Sequence, residues 1–364
     1  MARKPSPPPF ILLATPLLLL LLPLTSADFD HWVSTTVDEY HQRLAEIANG
    51  TGTGLDPRLA HAESQRRVIT VRQDGTGDFR TVTEAVASIP SPNSRRTVLV
   101  IGPGVYREKV VVDRTKPFVT FYGDPLNMPT ITFNGTAAEY GTVQSATVAV
   151  HSHYFIASNI IFENSAPMPD GRPGSQAVAF TISGDKAALY NCKFYGFQDT
   201  LCDDRGKHFF KGCLIRGTVD FIFGNGRSLY QDCVLESVSK GIGYLTAQAR
   251  TTKAEKTGFS FVNCTVTGTG QTYLSRAWMQ SSRVVFAYTY MGSVVDPIGW
   301  DDKGFKDRQR TVYYGEYKCM GPGANTSNRA RFGRVLTDKQ AKPFLSLTFI
   351  RASTWLLPPP SLPL

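Results

Sequence analysis

Two aspartates, two glutamines and an arginine have types and spacings that suggest shared chemistry in this chain of 364 residues. Asp199 follows Cys192, and Asp220 follows Cys213, by the same seven residues, within matching segments Gly196-Phe-Gln-Asp199 and Gly217-Thr-Val-Asp220. On neighbouring strands, ~4.8 Å apart, equivalent placement would set the two carboxylates face to face. Such a pair resists double ionisation: one acid keeps its proton and the other stays a carboxylate. That division suits acyl or glycosyl transfer. A ladder of solvated or turn-capping aspartates is the plain alternative. Gln176, 22 residues before Gln198, adds a second stacked pair, amides able to donate N–H groups to an oxyanion. A glycosidase can use carboxylates about 5–5.5 Å apart but has no matching need for those amides. Gln198 and Asp199 are neighbours, so a bend or bulge must let both serve one site, with Gly196 and Gly217 at hand to make it. Arg276, in Tyr273-Leu-Ser-Arg276-Ala-Trp278, is the candidate cation that clamps a carboxylate with two donors. Trp278 offers an aromatic face to a sugar ring. On spacing alone, a surface arginine and a core tryptophan are the better explanation of these two residues. No Gly-x-Ser-x-Gly elbow or P-loop occurs, and the close histidine pair His151-Ser-His153 lacks zinc-site company.

The elements that must position these residues repeat. Tyr190-Asn-Cys192-Lys-Phe194, Lys211-Gly-Cys213-Leu-Ile215, Gln231-Asp-Cys233-Val-Leu235 and Val262-Asn-Cys264-Thr-Val266 share one pattern, with cysteine steps of 21, 20 and 31. Self-similarity near 20 residues in β-branched and aromatic sequence predicts the coils of a parallel β-helix, the longest step carrying an inserted loop. A sandwich would instead show turns every 8–12 residues without this echo. One amphipathic helix is predicted over Phe79–Ile89, ended by Pro90, and a short one around Val37–Ile47.

The chain opens with Arg3 and Lys4, an apolar run from Ile11 to Leu24, and small residues at Thr25-Ser26-Ala27. This is the pattern of a secretory signal peptide over 1–27. A membrane anchor fits less well, because Pro16 and Pro23 interrupt a run shorter than the ~20 apolar residues a span needs. Formal charge is +9, and cleavage after Ala27 would remove two positive and no negative charges. A basic secreted protein suits a polyanion: an acidic polysaccharide, a membrane surface or nucleic acid. Zinc-finger spacing and dense basic runs are missing, which disfavours nucleic acid. Secretion permits disulfides among the six cysteines, and stacking suggests Cys192–Cys213 and Cys233–Cys264. Sequons occur at Asn49, Asn134, Asn263 and Asn325. Residues 28–66 read as an N-terminal extension, 67–352 as the catalytic β-helix and 353–364 as a tail.

The same segments resemble the plant pectin methylesterases (pectinesterases). The resemblance is carried by Gly104-Val-Tyr106-Arg-Glu108, Gln176-Ala-Val-Ala-Phe180, Gly196-Phe-Gln-Asp-Thr-Leu201, Val219-Asp-Phe-Ile-Phe-Gly-Asn225, Leu274-Ser-Arg-Ala-Trp278 and Gly321-Pro-Gly-Ala324. It implies an all-β, single-stranded right-handed parallel β-helix that hydrolyses methyl esters of pectin homogalacturonan. It implies Asp220 as nucleophile, Asp199 as proton donor and then base, and Gln176 and Gln198 at the oxyanion. Arg276 would hold Asp220, and Thr142, Gln176, Arg276 and Trp278 would bind substrate. No metal or organic cofactor is expected. The implied partners are methyl-esterified pectin and a proteinaceous pectinesterase inhibitor; no nucleic acid or membrane is expected. The protein would be a monomer, secreted to the plant cell wall and without an inhibitor-like pro-region. The chain departs from the family where Leu-Gly-Arg-Pro-Trp becomes Leu274-Ser-Arg-Ala-Trp278, and where Lys303 replaces a tryptophan common three residues after Trp300. A pectin-binding wall protein with impaired catalysis is therefore the alternative reading. A polygalacturonase or lyase would need clustered aspartates or calcium carboxylates that do not appear.

Overall fold

A computed structural model describes residues 54–358. The signal segment, the Val37–Ile47 helix and the Asn49 sequon lie outside the described residues. Short parallel strands wind into a right-handed β-helix with three faces. The first face runs from Arg67–Val71 through Ala187–Tyr190, Lys207–Lys211, Arg227–Gln231 and Gly258–Val262 to Gly333–Val335, each strand pairing parallel with that of the next coil. The second face includes Lys193–Tyr195 and Leu214–Gly217, and the third Phe180–Ile182, Leu201–Asp203 and Ile222–Gly224. Val234–Gln248 and Thr265–Arg276 are long enough to run through both of these faces. Leucine, isoleucine and phenylalanine side chains point inward, and equivalent positions stack from coil to coil. Phe210, Tyr230, Phe261 and Phe286 share one register column, with successive ring centroids 4.5, 4.5 and 4.6 Å apart.

The cysteine echo marks a corner between the first and second faces. Asn191, Asp232 and Asn263 adopt left-handed backbone conformations there (φ 47°, 55° and 54°), and Gly212 takes the same place. Asn and Asp tolerate this region because their short side chains bond locally. Asn191 Nδ2 donates to Asn159 Oδ1 at 2.9 Å, and Asn263 Nδ2 to Asp232 Oδ1 at 2.7 Å. Asn263, one of the sequon asparagines, sits at this exposed corner. The following residue turns inward, which stacks Cys192, Cys213, Cys233 and Cys264.

The expected disulfides are not formed; all six cysteines are free thiols. In-register side chains point the same way at the ~4.8 Å strand spacing, whereas a disulfide wants Cβ atoms about 3.5–4.5 Å apart. Each of three thiols donates instead to a carbonyl of the preceding coil: Cys213 to Leu189, Cys233 to Phe210 and Cys264 to Tyr230, all at 3.5 Å.

One end of the solenoid is closed by a helix over Val82–Ala87, shorter than the predicted Phe79–Ile89. Phe79 instead bridges to Val71, and Asp78 accepts from Thr70 N at 2.7 Å, which keeps this stretch extended. Thr81 caps the helix, and the Glu108 carboxylate accepts from Val82 N and Thr83 N at 3.0 and 2.8 Å. The outer side of the first face is covered by the helix Pro57–Ser64 and by the C-terminal segment. Trp355, Leu356 and Leu357 are buried there against residues such as Tyr190, Leu229 and Val285.

Candidate active site

The third face carries the candidate residues on its outer side. Leu201 registers with Ile222, and Asp199 N donates to Val219 O at 3.0 Å, so Asp199 and Asp220 occupy equivalent positions on adjacent coils. The bend that the sequence requires is made by the aspartates themselves, with φ of 64° and 51°. Gly196 and Gly217 serve close packing instead. A Cβ on Gly217 would fall 2.2 Å from Phe221 Cβ and 2.7 Å from Phe197 O.

Both acids are nearly covered, Asp199 at 8% and Asp220 at 3% exposure. An apolar strip of Ala146, Ala149, Val178 and Cys202, with Val143 and Phe223, lies along the same side. Burial pushes the Asp199 carboxyl well above the usual carboxylate range, and the neighbouring Asp220 charge pushes it further. Burial also raises Asp220, but two hydrogen bonds and the charge of Arg276 pull it back. Arg276 Nε donates to Asp220 Oδ1 at 2.7 Å and Nη2 donates to Oδ2, a bidentate clamp. Asp199 is thus pushed further up than Asp220, an asymmetry that favours the proton on Asp199 and the charge on Asp220.

The altered Leu274-Ser-Arg-Ala-Trp278 segment leaves this clamp intact. Arg276 ends the strand Thr265–Arg276, and Ser275 is locked between Thr246 and Trp300 in register. Strand pairing, rather than the turn beyond it, places the arginine. Trp278 is 41% exposed beside it. Gln176 and Gln198 stand on neighbouring coils but one position out of step: Ala177 N, not that of Gln176, donates to Gln198 O at 3.2 Å. Thr142 precedes the short turn Val143–Ser145, which is tied to the Asp199 column because Val178 N donates to Ser145 Oγ at 3.1 Å. Gln176 O accepts from Ala137 N at 2.7 Å, joining the same segment.

Several neighbours escaped the sequence reading. Tyr244 and Tyr273 continue the aspartate column, their rings stacked at 5.2 Å, and the Arg276 guanidinium carbon lies 4.8 Å from the Tyr244 ring centre. Their steps of 24 and 29 residues, unlike the 21 between the aspartates, hid the equivalence. His208 and Asp203 pair at 2.6 Å and resemble part of a triad, but both are wholly buried inside the coil with Tyr230 on the second carboxylate oxygen at 2.7 Å. His151 and His153 make separate local bonds, with Ser183 and with Asp185 N.

An arginine-clamped carboxylate beside a second, buried acid on the outer face of a β-helix is an arrangement suited to a hydrolase that works through carboxyl groups. The chain belongs to the pectinesterase family, whose sequence profile matches residues 68–353. Pectinesterase 2 of Olea europaea is 50% identical over 341 residues, covering 93% of this chain and 91% of its own. A solved pectin methylesterase from carrot has a TM-score of 0.75 at 35% identity, covering 79% of this chain and 94% of that one. An Asp-to-Ala variant of a pectin methylesterase, solved in complex with a hexasaccharide, has a TM-score of 0.70 at 27% identity over 80% of this chain and 98% of that one.

Proposed function

We propose that this chain hydrolyses the methyl esters of pectin homogalacturonan through an acyl-enzyme on Asp220. The observation that carries the reading is the bidentate hold of Arg276 on Asp220 beside a buried Asp199 with a raised pKa. An Asp220 oxygen attacks the ester carbonyl carbon, and the Gln176 and Gln198 amides donate to the oxyanion. The tetrahedral intermediate collapses as the bond to methoxy oxygen breaks, and Asp199 gives its proton to that oxygen, releasing methanol. Asp199, now a carboxylate, takes a proton from water, whose oxygen attacks the sugar-side carbonyl of the anhydride. Asp220 leaves as carboxylate, Asp199 is again protonated, and the galacturonic acid gives its remaining proton to solvent to become a carboxylate. Thr142 and Trp278 line the saccharide path. No cofactor enters these steps.

The protein acts as a secreted monomer in the plant cell wall, after loss of residues 1–27, and a proteinaceous inhibitor that covers this face would compete with pectin. The reading of a wall protein without turnover is disfavoured by the intact arginine clamp. Methanol release from highly esterified pectin decides between them. Wild type releases methanol and Asp220→Ala falls by at least about a thousandfold. Equal release by both would end the nucleophile assignment, and pectin binding without release by wild type would favour the binding protein.

A further inference from the structure

We propose that Lys303 is a carboxylate-recognising group of this site, and that it favours galacturonan in which a saccharide beside the scissile ester already bears a free carboxylate. The identity of the polymer rests on the pectinesterase reading above; the cation and its surroundings do not. Lys303 lies on a turn with φ of 58°, and its backbone N donates to Asp301 Oδ1 at 2.7 Å. The next carboxylate, Asp302, accepts from Gly304 N at 2.9 Å and from Gln309 Nε2 at 2.6 Å. The loop's own acids are thus engaged in holding its shape. The ammonium is laid over the catalytic face, its Nζ 3.2 Å from the centre of the Trp278 ring, with the Arg276 guanidinium carbon 5.7 Å from the same ring.

Among the described residues Lys303 forms no ion pair, and its ammonium makes no hydrogen bond. The other cations around it are occupied. Arg276 is spent on Asp220, and Arg308 Nη1 donates to Ala277 O at 2.5 Å while its guanidinium stacks on Phe305. Burial and the charge of Arg276 press the Lys303 pKa down, with Arg308 adding to them and only Asp220, already clamped by Arg276, pulling the other way, so an incoming anion would relieve an unfavourable local field. A methyl ester offers this ammonium no charge; a galacturonate carboxylate offers a full one. Lys303 stems from the coil three strand steps beyond that of Asp220, along Ile222, Thr246, Ser275 and Trp300. The carboxylate it meets therefore belongs to a neighbouring saccharide rather than to the ester under attack. Each turnover creates such a carboxylate, so product of one event becomes the recognised neighbour of the next. The ammonium also covers one face of Trp278, and a carboxylate that draws it away frees that face for a sugar ring.

The test compares kcat and KM for methanol release on nearly fully esterified and on half-esterified pectin, using wild type, Lys303→Gln and Lys303→Arg. The expected wild-type preference for the half-esterified polymer is carried by KM and weakens with added salt. Lys303→Gln reduces the ratio of kcat/KM between the two substrates by about three- to tenfold, the range of a partly exposed charge pair. Lys303→Arg keeps most of it. Unfolding curves check that each variant is folded. A parallel titration with fully de-esterified oligogalacturonate reads binding without turnover, and Lys303→Gln is expected to weaken it by a similar factor. An unchanged substrate ratio and unchanged oligogalacturonate affinity in Lys303→Gln would overturn the assignment. Absence of methanol release by wild type would instead overturn the pectinesterase reading, and the titration would still judge Lys303.

Discussion

Asp199 and Asp220 share a left-handed backbone, a buried position and each other as neighbours, and they differ in what faces them. Arg276 puts two N–H donors on Asp220, while Asp199 feels burial and the Asp220 charge with only the distant field of the same arginine to offset them. One arginine therefore sets two residues of the same type apart electrostatically, the asymmetry on which the proposed acid and nucleophile roles rest. The separation has a stability consequence. The folded pKa of Asp199 lies well above its unfolded value, so in the window between them the folded state binds more protons than the unfolded one. Stability at this residue is full below the unfolded value and is lost as pH rises through the folded one. Asp199→Asn removes the titration and keeps the shape. The expected outcome is a Tm above that of wild type, by a margin that grows from about pH 4 upward, together with loss of methanol release. Thermal unfolding across a pH series measures it, and a margin that stays constant or shrinks with rising pH would contradict the raised pKa.

At the scale of the elements, each coil is specified by a left-handed corner residue and the inward residue after it. The cysteine at that inward place is a compact apolar filler with one weak donor, and the preceding coil's carbonyl accepts from it. Burial pushes the Cys213, Cys233 and Cys264 thiols well above their ordinary pKa, which keeps them protonated and inert to exchange. Protein prepared without reductant should therefore show six thiols to a thiol reagent once denatured. Its unfolding temperature should be the same with and without reductant. A count of four or two, or a Tm that falls on reduction, would mean that the ladder has been bridged.

The whole molecule is a solenoid with a second apolar layer on its first face. Arg227 and Arg283 stack on Phe349, with guanidinium carbons 5.2 and 5.8 Å from the ring centre. Trp355 Nε1 donates to Ile350 O at 3.2 Å, and the ring is 3% exposed. This layer lies on a different face from the aspartates, and it is joined by the helix Pro57–Ser64, whose Leu59 and Ala62 are fully buried. Trp355→Ala should cost about 3–5 kcal/mol, as for other buried tryptophans. Denaturant unfolding would read the loss, with activity per folded molecule retained. A loss under about 1 kcal/mol would show that the segment contributes little.

The sequence by itself determined what repeats over one coil. Inward and outward alternation is local, so strand type, the corner pattern and the 21-residue step linking Asp199 to Asp220 were legible. Arg276 was legible as a residue type, and its family segment pointed to Asp220 as the partner; that strand register rather than the following turn places it showed only in the fold. Tyr244, Tyr273 and Lys303 were not legible as neighbours of the aspartates, because the steps to them include extra residues whose excursion only the folded chain reveals. The cysteine spacing predicted stacking and misjudged its chemistry: linear distance cannot distinguish side chains that point at one another from side chains that point the same way. The glutamines' one-position offset and the cover over the first face were likewise decided by tertiary packing. Local conformational preference acts over a few residues, whereas register between coils is set by how the whole turn of chain closes.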